Sequence, residues 1–449
     1  MHNFETDEYA NTAYVNQFER TRHMTDQNTT TTSQLARPID LPCGARIKNR
    51  FFKSAMNEAM AARSHAPTER FATLYRRWAE GGAGVLMTGN VMVDRTQLGE
   101  PGNVALEDDR DLSVFRSWAE AATINGTHCW MQLNHPGRQS PATINPHPWA
   151  PSAGRLEGEY GKFFAEPREL DREQIHDIEH RFARAARLAK LAGFTGVQLH
   201  GAHGYLINQF LSPLDNHRTD EYGGSLDNRM RFLIETYQAV REAVGPDFPV
   251  AVKLNSSDGQ PGGFSEDESL QVIQHLADFK LDLIEISGGT LEKPTFATTT
   301  GDKEDSARGV YFSDFATRVK QLDLHGTAVC LTGGFRTPVD MENALEQGMT
   351  DMIGIARPLV LRPDMPQRIL NGDIDPLNRF KLPWITTGIK TLDKAFNGVL
   401  VISWFELQMN RVGAGKDPNP EIGGIRALLF ALTQHGPAAL TPRRRKGHN

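Results

Sequence analysis

Short apolar runs and amphipathic stretches alternate from about residue 40 to residue 371. Eight runs have the length and composition of buried strands: FFKSAM (51–56), GVLMTG (84–89), HCWMQL (128–133), GVQLH (196–200), FPVAVKL (248–254), LDLIEIS (281–287), AVCLTG (328–333) and DMIGIA (351–356). Between them the apolar period changes from two to 3.6. Phe71, Leu74, Tyr75 and Trp78 recur at i, i+3, i+4 and i+7, which aligns them on one helix face. Phe182, Ala185, Ala186 and Ala189 repeat the spacing ahead of Gly193, and Leu233, Thr236, Tyr237 and Val240 do so ahead of Gly245. A glycine just past a helix suits its stop, because it accepts the left-handed conformation. Strands alternating with helices imply right-handed crossovers and a parallel sheet. Eight of them predict a closed (β/α)8 TIM barrel. A doubly wound open sheet is the alternative, disfavoured by the count and by the lack of GxGxxG after the first strand.

Three stretches fall outside the alternation. Residues 1–37 form a polar arm that includes the low-complexity TDQNTTTTSQLA. Residues 134–170 follow the third strand and carry six prolines, from Pro136 to Pro167. A connection that long is usually functional, and a lid over the barrel mouth is the expected role. Residues 376–449 form a C-terminal extension containing the helix-like FNGVLVISWFELQMNR and ending in PRRRKGHN. The predicted barrel domain thus spans 38–375.

Composition narrows the function. A net charge of −6 argues against a general nucleic-acid binder, which would carry a basic excess. Cys43, Cys129 and Cys330 are far apart and form no CxxC pair, which excludes a disulfide framework, a zinc ribbon and a cysteine-ligated iron–sulfur cluster. The opening MHNFETDEYA lacks the basic-then-apolar order of a secretory leader, so a cytoplasmic location is expected. The strongest apolar run, 399–405, is shorter than the ~20 helical residues of a membrane span. A small-molecule substrate is the expected partner; self-association into a homo-oligomer stays open.

The active site of such a barrel lies at the C-terminal ends of its strands. Asn57, Gln132, the segment from His200 to Tyr205, and Lys253 all fall there. The last two strands end in TGGFRT (332–337) and GIARP (354–358). Gly333 and Gly334 permit close approach of backbone amides, and Arg357 offers a planar fork of donors, a combination suited to a phosphate. Plain turn chemistry is the competing reading. For His200, His203 and Tyr205 the residues alone leave three readings: metal ligation, satisfied polar packing, or a grip on a substrate oxygen. Metal needs a third ligand, and His135 and His217 lack metal-site spacing. Lys253 within a barrel strand requires an anion, since an unpaired buried ammonium is costly.

NRFFKSAM, YRRWAEGGAGVLMTGN, QLNHPGRQS, HGAHGYLINQFLSPLDNHRTDEYGGSLDNRMRF, TGGFRT and GIARPL occur in this order over residues 38–371. Together they resemble the Old Yellow Enzyme family of FMN-dependent NAD(P)H oxidoreductases, which reduce activated carbon–carbon double bonds. The resemblance implies FMN as cofactor and NADH or NADPH as reductant. It implies that Ser54, Ala55, Met56 and Asn57 line the flavin, with Asn90 beside it, and that Gln132 bonds the pyrimidine edge of the ring. It places Lys253 beside flavin N1 and O2, and Gly333, Gly334, Phe335, Ala356 and Arg357 around the phosphate. His200 and His203 match the pair that holds the activating oxygen of the substrate, and Tyr205 matches the proton donor. Three positions depart from the commonest pattern: Ser54-Ala55 stands for Ala-Pro, Asn57 for Thr or Cys, and Lys253 for Arg. Lysine keeps the positive charge but loses the bidentate fork. Two other functions compete: an NAD(P)H oxidase or flavin-linked dehydrogenase, and a non-catalytic or metal-binding barrel. A dienoyl-CoA reductase is disfavoured, because no cysteine-rich cluster follows the barrel.

Overall fold

The computed structural model describes residues 33–156, 161–288, 312–335, 337–373, 382–384, 388 and 390–436. Eight parallel strands run in chain order: β1 (Phe51–Lys53), β2 (Val85–Met92), β3 (His128–Asn134), β4 (Gly196–Gly201), β5 (Val250–Asn255), β6 (Leu283–Ser287), β7 (Ala328–Thr332) and β8 (Met352–Ile355). Each pairs with its sequence neighbours, and β1 pairs with both β2 and β8, which closes the barrel. All eight coincide with the apolar runs of the sequence to within a few residues. A parallel strand buries both faces, so near-continuous apolar runs are what this sheet demands.

Helices cover the outside: α1 (Glu69–Glu80), α2 (Leu112–Ala122), α3 (Arg172–Leu191), α4 (Leu226–Val244), α5 (Glu266–Asp278), α6 (Ser313–Val319), α7 (Pro338–Glu346) and α8 (Met365–Leu370). The faces predicted on α1, α3 and α4 are buried in one continuous core against the outward side of the strands. Helix starts are locally encoded. Asp171 with Gln174, Ser265 with Glu268, and Thr337 with Asp340 form reciprocal capping boxes, which satisfy backbone donors that the first turn leaves open. At the far end of α4, Gly245 ends the helix at φ 81° and ψ 174°, a positive-φ but extended conformation rather than the left-handed helical one expected.

Inside the barrel, side chains change character along the axis. At its lower end Phe52, Val85, Met87, Trp130, Ala251, Leu283, Cys330 and Met352 form a second, apolar cluster, closed off by Leu41 and Ile47. Two residues further along, the inward positions of six of the strands turn polar, while those of β2 and β8 are Gly89 and Gly354. Because strand side chains alternate faces, the polar ones are Ser54, Gln132, Gln198, Lys253, Glu285 and Thr332. The apolar plug holds the barrel together, and the polar layer lies toward the mouth.

Two predicted additions take definite form. The segment after β3 is pinned rather than loose: Ser140 Oγ donates to Leu98 O at 2.6 Å, Arg138 pairs with Asp215 at 2.5 Å, and 149–150 run parallel to 168–169. A lid made of the whole segment would have to break these ties. The extension contributes α9 (Lys390–Gly413) and α10 (Gly424–His435). Arg70 on α1 donates to Asn410 on α9 at 2.5 Å, and Trp404 donates to Ile422 O at 2.8 Å. The polar arm over 1–32 and the basic end over 437–449 lie outside the described residues. No helix among the described residues is long and apolar enough to cross a membrane.

Candidate functional site

The end of β4 supplies the central group. His200 is the fifth residue of that strand and points inward, in register with Lys253 of β5. The chain then turns through His203 at φ 63° and Gly204 at φ 74°, and Tyr205 leads into the short helix Leu206–Leu211. A left-handed conformation is strained for a histidine and persists only where the surroundings enforce it. Here they do: His203 N donates to Asn255 Oδ1 at 3.2 Å, and His203 O accepts from Gln139 Nε2 at 2.8 Å. Gly204 N donates to Asn208 Oδ1 at 2.6 Å, and Asn208 in turn donates to Asp258 at 3.2 Å.

The turn brings the three rings together. The His200 centroid lies 5.0 Å from that of His203 and 4.8 Å from that of Tyr205, both edge-on. Nδ1 of His200 accepts from Ala202 N at 3.3 Å, which assigns the proton of the neutral ring to Nε2. His203 Nε2 lies 2.7 Å from Ser287 Oγ at the end of β6. Asn90 of β2 donates to the Tyr205 hydroxyl at 3.4 Å. His200 and His203 are buried and Tyr205 is half-buried. Two imidazoles and a phenol thus converge on one end of the barrel.

Beneath them lies a connected polar layer centred on Glu285. Its Oε1 accepts from Thr332 Oγ1 at 2.7 Å and pairs with Lys253 Nζ at 3.1 Å, while its Oε2 accepts from Gln198 Nε2 at 2.9 Å. Gln198 Oε1 accepts from Gln132 Nε2 at 2.7 Å, and Thr332 Oγ1 lies 2.8 Å from Ser54 Oγ. The anion that Lys253 requires is therefore present within the protein, and the sequence reading missed it. The signal was available: in LDLIEIS, Glu285 interrupts the apolar stretch 283–286 at an inward position. Gln198, Thr332 and Ser287 escaped for the same reason. A second buried pair stands on the outer side of the sheet. Lys53 donates to Met87 O at 2.7 Å, and burial pushes it down to about 8 despite nearby Glu58. Glu58 accepts from the Tyr75 hydroxyl and from Gly89 N at 2.9 Å. That carboxylate crowds Gly89, where any side chain would meet its oxygen at 2.2 Å. The pair braces β1 against β2.

The predicted cofactor-binding residues gather at the ends of β1, β2, β3, β5, β7 and β8. The donor set suits a flat heterocycle with a phosphate tail. Asn57 Nδ2 and Asn90 Oδ1 are buried and lack a hydrogen-bond partner among the described residues, although Asn57 Oδ1 accepts from Asn103 at 2.9 Å. Native proteins rarely leave such atoms unsatisfied, so both call for a ligand atom. Gly333 and Gly334 take φ 97° and 85°, leaving that turn without side chains against the barrel end. Phe335 is buried, whereas Ala356 and Arg357 remain partly accessible. Arg336 lies outside the described residues. The amide side chains, the Lys253 cation and the glycine turn fit FMN.

Comparison with known proteins identifies relatives of the chain and of its fold. A family model described as NADH:flavin oxidoreductase / NADH oxidase matches residues 34–375. The NADH-dependent flavin oxidoreductase iliE of Hypocrea jecorina (strain QM6a) is 38% identical over 354 residues, covering 74% of this chain and 88% of that protein. Among solved structures, an old yellow enzyme homologue from Zymomonas mobilis is 26% identical with a TM-score of 0.65, covering 76% of this chain and 94% of its own. A 2-naphthoyl-CoA reductase in complex with 2-naphthoyl-CoA is 27% identical with a TM-score of 0.70; the match covers 76% of this chain and 52% of that one.

Proposed function

Because this chain belongs to the Old Yellow Enzyme family of FMN-dependent NADH:flavin oxidoreductases, we propose that it reduces the activated carbon–carbon double bond of α,β-unsaturated carbonyl compounds. NADH or NADPH is the reductant. The observation that carries this reading is the convergence of His203 and Tyr205 on His200, with ring centroids 5.0 Å and 4.8 Å from its own.

An enone resists nucleophilic attack at Cβ until its oxygen is polarised. His200, protonated at Nε2, and His203 donate to that oxygen, where negative charge develops as the double bond is reduced. One such donor is typically worth about 2.7–4 kcal/mol in the transition state. FMN, when bound, supplies the hydride chemistry. Tyr205 supplies the proton to Cα; a phenol, with an ordinary pKa near 10, stays loaded at neutral pH. Asn90, bonded to the hydroxyl, orients it. Lys253 and Gln132 would hold the pyrimidine edge of FMN, Ser54 to Asn57 would line its ring, and the Gly333–Phe335 turn with Ala356 and Arg357 would take its phosphate.

The test is Tyr205→Phe. NAD(P)H should still bleach the yellow protein at close to the normal rate, while cyclohexenone turnover falls by about 10²-fold or more, within the usual range of general-acid catalysis. Full enone turnover by the variant would remove Tyr205 from the mechanism. The same assay decides the second reading, an NADH oxidase, a name one relative carries. That reading requires NAD(P)H consumption that is equal with and without enone and stops when oxygen is removed.

A further inference from the structure

On the outer surface of the barrel, α3 and α4 enclose a carboxylate whose hydrogen bonding the fold leaves incomplete. Glu179 follows His176 by three residues on α3, which puts both on one face. Glu179 is only 6% exposed. Its Oε2 lies 3.0 Å from His176 Nδ1, and its Oε1 is buried without a hydrogen-bond partner among the described residues. Glu235 reaches the same point from α4, and its Oε2 accepts from the Tyr222 hydroxyl at 2.7 Å. One ligand atom from each of His176, Glu179 and Glu235 lies within 4.8 Å of the other two. Two carboxylates brought together under partial burial repel each other.

We propose that His176, Glu179 and Glu235 form a binding site for one divalent transition-metal ion of the zinc class, separate from the chemistry at the barrel mouth. An imidazole nitrogen with two carboxylate oxygens is a borderline donor set that suits zinc and its neighbours better than magnesium or calcium, which prefer all-oxygen cages. Three protein ligands leave the remaining positions to water. The Tyr222 hydroxyl is the outer partner that orients Glu235, as outer partners of metal sites commonly do. His176 is exposed over 56% of its side chain, so the site opens to solvent and the ion has a way in. A cation there satisfies Glu179 Oε1 and cancels the repulsion between the carboxylates. It also fastens α3 to α4, the helices behind β3 and β4, which carry Gln132 and His200.

The competing occupant is a proton shared by Glu179 and Glu235, and the experiment separates the two. Zinc chloride is titrated calorimetrically into the flavin-loaded, chelator-washed enzyme, alongside His176→Ala, Glu235→Gln and Glu179→Gln. One-to-one binding in the micromolar range or tighter is expected, with a raised Tm. His176→Ala and Glu235→Gln should each weaken it by at least the roughly 10- to 100-fold typical of losing even an outer partner. His176 is exposed, so its replacement leaves the fold intact. Absence of binding, or binding unchanged in both variants, overturns the site. So does a Glu179→Gln variant whose Tm exceeds that of the parent while the parent takes up no zinc, the mark of a shared proton alone.

Discussion

Lys253 and Glu285 show how one residue sets the requirement for another. Both are buried inside the barrel, and their 3.1 Å pair is completed by Thr332 and Gln198. Removing one partner of such a pair strands a charge and costs about 3–5 kcal/mol, whereas replacing both with well-packed apolar groups is often near neutral. Glu285→Gln should therefore lower unfolding stability in urea by about that amount, and Lys253→Met/Glu285→Leu should recover most of it. A single variant as stable as the parent would show that the pair is not what holds this layer. His135 gives a pH prediction. Burial pushes it down to about 4, and its Nδ1 accepts from Gly137 N at 3.1 Å, a bond that only the neutral ring can make. The unfolded chain takes up the proton near 6.5, so between about 6.5 and 4 it binds more protons than the folded one. Stability is therefore lost as pH falls through that window. Urea midpoints measured from pH 7 to 4 should fall less steeply for His135→Gln than for the parent.

At the scale of elements, local rules and tertiary contacts divide the work. The capping box at Asp171 sets where α3 begins, and Asp171→Ala should cost about 1 kcal/mol by thermal or urea unfolding. Helix α9 depends instead on partners. Trp404 is fully buried and bonded to Ile422 O, and Gly413 lies so close to α1 that a Cβ would meet the Arg70 backbone at 2.9 Å. Trp404→Ala should destabilise the protein by about 3–5 kcal/mol and open the extension to limited proteolysis before the barrel. If cleavage begins in the barrel instead, the extension is not a separately yielding layer. The excursion after β3 is held by Ser140, Arg138 and the pairing of 149–150 with 168–169, which the proline count alone did not reveal.

For the whole molecule, closure of the sheet is the decisive event, because the site draws its side chains from the ends of most of the eight strands. No fragment of the barrel carries it. FMN binds the closed state alone, so at about 100 times its dissociation constant it should add about 2.7 kcal/mol to stability, read as a rise in Tm. Lys253→Met should shrink that rise by weakening flavin affinity. An unchanged Tm on adding FMN to the flavin-free protein would contradict the assigned pocket.

Strand and helix positions, the eightfold count and the HGAHGY turn were legible in the chain, because each is written in local periodicity or in a contiguous motif. Once the barrel fixes the inner face, a two-residue alternation puts Gln132, Gln198, Lys253 and Glu285 on it. What no local pattern states is which inward residues meet across the barrel. The partnership of Lys253 with Glu285, the contact of His203 with Ser287, and the convergence of His176 and Glu179 with Glu235 join residues 32 to 84 positions apart. Those distances are set by strand register and helix packing. The chain by itself determined which chemistry was available; the closed sheet decided which groups could reach one another.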